Sequence, residues 1–310
     1  MEITKNTDFD EMRIFELEMH SFLNVLSVLS GIVQLMEDET SRYDVISRPL
    51  QKIHDMAEAI RNRNNELFNP PNLRALKIEL FQAFDDLRQA DPAFCAGDMF
   101  AHLHQTLIDI GKVLDVRVDE LEIRQQAPGK WETFTIEAFR EDFRKFFYAM
   151  EKSSNGRYRI IYNVAEQYEK DYLVHFEVSS DLGDFVAMPY LFKDVIRDLI
   201  ANARKYTLPG GDIKIGIAVR DQSFRFIVED SGAGIPADEI EKVVDYGYRA
   251  SNVRDSKRTM GGGFGLTKAL HIVRKLDGRM WIDSELNKGT RVEIRVGVPE
   301  AVYRKGQVAV

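Results

Sequence analysis

Cysteine is nearly absent from this chain, whose 310 residues include only Cys95. A single thiol cannot form an intrachain disulfide or build a cysteine-based zinc site. The chain also lacks an apolar run of the roughly 20 residues that cross a bilayer, because its most apolar stretch, residues 22–36, contains several polar side chains. The N-terminal segment has no signal-peptide pattern. These absences predict a cytoplasmic protein with no membrane span.

Basic residues are outnumbered, since 42 Lys and Arg stand against 50 Asp and Glu, a net charge of −8. A net-acidic chain argues against nucleic acid as the main partner. Apolar residues make up 44% and charged residues 30%, a composition typical of globular proteins with hydrophobic cores. The length predicts two domains.

The first 130 residues predict helices. Apolar residues recur at steps of three and four across residues 9–40 and again across 44–68, which predicts two amphipathic helices. The short link between them predicts an antiparallel hairpin. Its apolar stripe needs another helix pair or a second copy of the hairpin to cover it. Residues 73–90 and 98–122 predict two further helices.

Beyond residue 130 the pattern alternates between strand and helix. Strands are predicted at 133–139, 158–164, 172–179, 213–219, 224–229, 279–284 and 290–296. Helices are predicted at 139–150, 190–206 and 264–276. The second and third strands are expected to form a hairpin. The chain is therefore predicted to be α+β: an N-terminal helical hairpin or bundle followed by an α/β sandwich.

Two glycine clusters mark the C-terminal half. Residues 230–236 (Asp-Ser-Gly-Ala-Gly-Ile-Pro) follow a predicted strand, and residues 261–266 (Gly-Gly-Gly-Phe-Gly-Leu) precede a predicted helix. Glycine permits the close approach of a ligand, and a helix N-terminus attracts phosphate. On an earlier helix, Asp198 and Asn202 share one face, where their oxygens could hold Mg²⁺. Taken singly, these features are also typical of ordinary turns and of a solvated polar stripe.

The order of these elements, followed by residues 278–290, resembles the ATP-binding domain shared by histidine kinases, gyrase, Hsp90 and the mismatch-repair ATPases. The final segment is similar to the ending of the histidine-kinase version, with its Ser-Glu and Gly-Thr pairs. The resemblance covers roughly residues 131–299. It implies that ATP and Mg²⁺ are the ligands, and that residues 131–310 form a catalytic ATP-binding domain.

The resemblance also implies individual roles. Asn202 would be the Mg²⁺ ligand, and Asp230 would accept a hydrogen bond from the adenine amino group. The other implied nucleotide-binding residues are Lys205, Tyr206, Gly232, Gly234, Ile235, Arg258, Gly263, Gly265, Leu266 and Thr290. A mobile lid at residues 245–262 would present cations to the γ-phosphate, namely Arg249, Arg254, Lys257 and Arg258.

His20 stands on the first helix in a context similar to the phosphoacceptor helix of histidine kinases. Asn24 occupies the position at which that family orients water for dephosphorylation of its partner. The chain departs from the family at Ser21, where an acidic residue is usual. Glu16, one helical turn before the histidine, could replace that acid. His102 is the alternative acceptor.

The resemblance therefore predicts a soluble sensor histidine kinase. Residues 1–68 would form a phosphoacceptor and dimerisation hairpin, giving a homodimer, and residues 69–130 an additional helical region for sensing, docking or bundle completion. ATP would phosphorylate His20, and a separate response regulator would receive the phosphoryl group and be dephosphorylated in turn. The alternatives are an ATP-binding interaction or phosphotransfer module without efficient autokinase activity, and a gyrase-class ATPase with Asp198 as its base.

Overall fold

The computed structural model describes residues 1–5, 11–40, 42–62, 64, 66–126, 129–152, 154, 156–255 and 263–308. They form two compact units. One unit comprises Asp10–Pro128, and the other combines Met1–Phe9 with Gly129–Val310. The chain therefore begins in the second unit, forms the first, and then returns to the second.

Four long helices make up the first unit: α1 (Glu11–Glu39), α2 (Tyr43–Asn62), α3 (Pro70–Ala90) and α5 (Asp98–Gln126), with the single-turn α4 (Pro92–Cys95) before the last. Helix α1 packs against α2 and α5, and α3 packs against the same two helices. Their apolar faces share one core. A four-helix bundle is thereby completed within one chain. None of the helices in the described part of the chain is long and apolar enough to cross a membrane.

Helix boundaries in the bundle follow from side-chain caps. The Asn69 side chain accepts a hydrogen bond from the Asn72 N–H at 2.9 Å, and Pro70 opens α3 where a missing N–H costs nothing. Helix α2 ends at Asn62, six residues before the predicted end. The Asn64 side chain there accepts the N–H of Glu66 at 3.0 Å and favours a turn.

The second unit is built on a six-stranded sheet. Its strands are β2 (Ile160–Ile161), β3 (Tyr172–Ser180), β5 (Asp212–Arg220), β6 (Ser223–Asp230), β7 (Arg279–Glu285) and β8 (Gly289–Gly297), in the order β2-β3-β5-β6-β8-β7. A separate antiparallel pair joins β1 (Trp131–Thr135) to β4 (Phe185–Pro189).

Four helices accompany the sheet: α6 (Ile136–Lys152), α7 (Phe192–Tyr206), α8 (Gly265–Lys275) and α9 (Glu300–Val308). Alternate residues of β5, from Ile213 to Val219, are buried in a core shared with α6, α7 and α8. Alternation of this kind places one face of the sheet against helices, as in a sandwich. The predicted α+β class, with an N-terminal helical part and a C-terminal sandwich, is confirmed.

The predicted hairpin between residues 158–164 and 172–179 is wrong. Only Ile160 and Ile161 form a strand there, and they pair with β3 in parallel. The Asn163 side chain accepts the Ala165 N–H at 3.0 Å and starts a 3₁₀ turn, which stops the strand before it can fold back.

Residues 1–5, which we name the N-terminal strap, lie beside β7 in the sheet unit. They are therefore not part of the helical hairpin predicted over residues 1–68. Their place in the sheet follows from backbone pairing, since the Ile3 N–H donates to the Met280 carbonyl at 2.9 Å.

Candidate nucleotide-binding site

Helix α7 and the start of α8 meet at Asn202. A Cβ built on Gly265, the first residue of α8, would lie 2.6 Å from Asn202 Nδ2. Gly263 has a φ of +73°, and its Cβ would lie 2.7 Å from the Tyr248 carbonyl oxygen. Glycine alone therefore lets this loop lie so close to its surroundings. Leu266 is partly buried against the core and anchors the first turn of α8.

A buried ion pair joins the same two helices. The Lys268 ammonium on α8 binds the carboxylates of Asp194 and Asp198 on α7, the latter at 2.9 Å. Lys268 is 8% exposed and Asp194 1%. These contacts fix α8 against α7 and hence Gly265 against Asn202. Asp198, at the position where gyrase-class enzymes keep a carboxylate base, is therefore engaged in an ion pair with Lys268.

Asp230 ends β6 and begins the first glycine cluster. Burial raises its pKa to about 6, although hydrogen bonds from the Gly232 and Thr290 N–H groups and from Thr207 lower it. The Gly232 N–H lies 2.8 Å from Asp230 Oδ1. A Cβ on Gly232 would come within 2.6 Å of the Tyr206 carbonyl oxygen. A buried carboxyl in a backbone-lined recess can accept a hydrogen bond from a ligand N–H group.

The Ser284 hydroxyl ties the glycine cluster to the end of the sheet. It accepts the Ile235 N–H at 2.8 Å, donates to the Gly289 carbonyl at 2.8 Å and lies 2.9 Å from Thr290 Oγ1. Gly234, with a φ of +67°, packs directly on the β7–β8 turn. Ser284 is absent from the residues inferred from the sequence. The sequence signal that could have identified Ser284 is the Ser-Glu pair of which it is the first residue.

Cations gather one helical turn beyond Asn202. Burial, together with the charges of Arg249 and Arg204, lowers the pKa of Lys205. Burial raises the pKa of Tyr206, while the charge of Arg249 and a hydrogen bond from it lower that pKa. The Lys205 ammonium lies 5.3 Å from the centre of the Tyr206 ring. The Arg204 guanidinium lies 5.6 Å from the centre of the Tyr158 ring.

The predicted lid is described only over residues 245–255. There the Arg249 guanidinium donates to the Val253 carbonyl at 2.9 Å, and Arg254 donates to the Arg249 carbonyl at 3.4 Å. Lys257 and Arg258 lie outside the described residues, so their inferred contact with the γ-phosphate stays a prediction.

The inferred phosphoacceptor, His20, is a residue of helix α1, of which the structure describes the backbone at this position. The side chains of His20 and Glu16 lie outside the described residues, and their roles stay predictions. Asn24, one turn after His20, is exposed, whereas Phe22 is 2% exposed and faces the bundle core. His102, the alternative acceptor, is exposed on α5.

Residues 189–300 match a family model for histidine kinase-, DNA gyrase B- and HSP90-like ATPases. The adaptive-response sensory kinase SasA of Synechococcus elongatus is 37% identical over 115 residues, which cover 37% of this chain and 29% of SasA. The sensor histidine kinase WalK of Bacillus subtilis is 36% identical over 100 residues, or 32% of this chain and 16% of WalK. The chain thus spans less than a third of the length of these relatives.

Among solved structures, the catalytic domain of histidine kinase ThkA aligns with 54% of this chain and 95% of its own length, at 19% identity and a TM-score of 0.39. The family match and the curated kinase relatives confirm the resemblance seen in the sequence. Residues 189–300 therefore belong to the histidine kinase-, DNA gyrase B- and HSP90-like ATPase family.

Proposed function

We propose that this chain is a sensor histidine kinase that binds Mg-ATP between α7, the loop after β6 and the start of α8. The observation that carries the proposal is the close approach of Asn202 on α7 to Gly265 at the start of α8, within the residues that match the ATPase family model. The charges of Lys205 and Arg249 act on each other beside this point, and a triphosphate would offset them. Asp230 would receive the adenine amino group at the opposite end of the site.

Asn202 is the residue that would hold Mg²⁺. Its amide oxygen is a ligand type that this hard cation accepts, and Mg²⁺ commonly completes its octahedron with phosphate oxygens and water. A single side chain therefore fits a Mg-nucleotide complex. The described part of the chain has no group of three or more His, Cys, Asp or Glu that would form an all-protein metal cage. When bound, the ion would offset charge on the phosphates.

We further infer that His20 is the phosphoacceptor. The support is its place on a long helix, one turn before the exposed Asn24, in a chain that carries an ATPase domain of this family. A neutral imidazole nitrogen would be the nucleophile, and Glu16 would orient it in place of the acid that Ser21 replaces. An aspartate on a separate response regulator would then take the phosphoryl group, and the Asn24 amide would position water for its hydrolysis.

Incubation with γ-labelled ATP tests both steps. We expect acid-labile, alkali-stable label on the wild type, and none on His20→Gln, which should still bind ATP. Asn202→Ala should lose Mg²⁺-dependent ATP binding and label together, whereas Asn163→Ala, an exposed asparagine of the same unit, should retain both.

Label that persists on His20→Gln and disappears on His102→Gln would move the acceptor to α5. An unlabelled wild type that binds ATP would favour the interaction or phosphotransfer module instead. The gyrase-class reading has less support, because Asp198 is held by Lys268.

A second proposal concerns the homodimer that the hairpin alone would require. Helices α3 and α5 cover the apolar face of the α1–α2 hairpin. We propose that residues 69–130 serve to complete the bundle within one chain, so that no second copy is required. A cytoplasmic location and the lack of a nucleic-acid partner stay predictions from composition.

A further inference from the structure

The N-terminal strap is an integral part of the second unit. The Ile3 N–H donates to the Met280 carbonyl, and the Ile282 N–H donates to the Met1 carbonyl, each at 2.9 Å. The Ile3 side chain is 0% exposed and belongs to the core of the unit. The strap therefore extends the edge of the sheet at β7 by one antiparallel bridge, between Glu2 and Trp281.

The strap contacts α8 directly near the C-terminal end of the helix, and indirectly, through Asp245, near its N-terminal end. Toward the C-terminal end, Arg274 donates to the Ile3 carbonyl at 2.7 Å. Toward the N-terminal end, the Lys5 ammonium lies 2.6 Å from the Asp245 carboxylate. The Asp245 carbonyl in turn accepts the Thr267 hydroxyl of the first turn of α8 at 3.0 Å.

The turn that begins at Asp245 also supports the second glycine cluster. The Tyr248 N–H donates to the Asp245 carbonyl at 3.1 Å, and the Tyr248 carbonyl lies directly against Gly263. Gly263 is two residues before the first residue of α8. A displacement of Asp245 would therefore shift the loop at which phosphate would bind. Lys5 reaches that loop through Asp245.

We propose that the strap positions the N-terminus of α8 for the triphosphate of ATP, with Lys5 as a positioning residue. The proposal rests on the ATP site proposed above. The adenine end has its own supports, since Asp230 is held by the Gly232 and Thr290 N–H groups. The strap also continues through residues 6–10 into α1, so the element that holds α8 is covalently continuous with the inferred acceptor helix.

Nucleotide binding by the full chain tests the proposal. Lys5→Ala should weaken ATP binding about three- to fivefold, the range that a partly exposed ion pair supplies. Affinity for adenosine, measured by competition, should stay unchanged because adenosine has no phosphate. Lys5→Arg should restore ATP affinity. Lys130→Ala is the matched control, because it removes the 2.9 Å ion pair with Glu132 in the same unit.

A charge exchange gives an independent measurement. Lys5→Glu and Asp245→Lys should each weaken ATP binding, and the double variant should recover it if the two side chains act as a pair. Equal ATP affinity in the wild type and Lys5→Ala would overturn the positioning role alone. A parallel loss of ATP and adenosine affinity would reduce the strap to a stabilising strand and also overturn it. A wild type that binds no ATP would overturn the proposed function itself.

Discussion

Asp230 has a pKa near neutrality because burial raises it to about 6. An adenine amino group would donate to the carboxylate and favour its ionised form, which lowers the pKa in the complex. Binding then releases a proton, so affinity decreases as the pH falls through 6. We expect adenosine, which has no phosphate to titrate, to bind several-fold more weakly at pH 5 than at pH 8.

The Asp230→Asn variant is the control for this titration. It should bind adenosine weakly at every pH, because the amide presents its own N–H donors, and its profile should be flat. A variant that keeps the wild-type pH dependence would assign the titration to another group. In the free protein the raised pKa affects the stability of the fold, and this effect has the opposite pH dependence. The folded state binds the proton more tightly than the unfolded chain, so this group adds stability as the pH falls from 6 toward 4.

Gly263 and Gly265 differ in what a side chain would meet. At Gly265 the neighbour is the Asn202 side-chain amide, which can rotate away. Gly265→Val should therefore keep the fold but lower ATP affinity more than about tenfold, because it displaces the inferred Mg²⁺ ligand and covers the helix N-terminus. Calorimetric titration and a melting curve separate the two effects.

Gly263→Val should destabilise the loop as well. Its φ of +73° costs a β-branched residue about 1–2 kcal/mol, and its neighbour is the Tyr248 backbone. Gly216→Ala on β5 is the control, because nothing lies within 4 Å of the added Cβ. Normal ATP binding by Gly265→Val would make the second glycine cluster an ordinary turn.

The contact between α7 and α8 depends on Lys268. In Lys268→Met the Asp194 carboxylate would stay buried without its cation, a change that costs about 3–5 kcal/mol. Asp198→Asn should cost below about 1 kcal/mol, because that side chain is 36% exposed. Urea denaturation followed by tryptophan fluorescence measures these losses of stability, since both tryptophans, Trp131 and Trp281, lie in the second unit.

A small loss of stability in Lys268→Met would show that other contacts between the two helices carry the packing. Both helices have buried apolar faces, including Leu199 and Leu270. Loss of ATP affinity without loss of stability would instead place Lys268 in the site itself. The two measurements therefore distinguish a structural ion pair from a ligand contact.

The sequence predicted well those helices and strands whose apolar pattern is visible within their own residues. The alternation of buried residues along β5 and β6, and the three- and four-residue steps of α1, are local patterns. The parallel pairing of β2 depends on a strand eleven residues further along the chain, which no local pattern reveals. Strand β4 and the strap were missed because both are short and depend on backbone partners.

The candidate site shows the same division. The glycines, Asn202 and Asp230 were recognisable because their types and spacing match a motif. The engagement of Asp198 by Lys268 and the cation group around Lys205 depend on residues far apart in sequence. Such pairings require the folded chain, because no spacing rule connects α7 with α8 or with the turn at Arg249.

Charge divides unevenly between the two units. Residues 10–128 hold 12 Lys and Arg against 21 Asp and Glu, a net charge of −9, which leaves +1 for the remainder of the chain. The acidity of the whole molecule therefore comes from the helical bundle. The second unit is close to neutral, which is compatible with a local group of cations for a triphosphate.

The intrachain bundle predicts that one molecule carries out the whole reaction. Because α3 and α5 take the place that a second hairpin would fill, we expect light scattering to give a mass near 35.7 kDa. Label should then require His20 and Asn202 in the same chain. A mixture of His20→Gln with Asn202→Ala should stay unlabelled, whereas wild type mixed with His20→Gln should label in proportion to the wild type.

Label in the mixture of the two defective variants would mean transfer between molecules. A mass of two chains with an unlabelled mixture would instead mean a dimer that reacts within each subunit. Rates distinguish these cases again, since a reaction within one molecule is independent of protein concentration. Substitution of Leu107 or Leu114 by Asp, at buried positions of α5, should open the bundle and abolish label, while ATP binding by the second unit should survive.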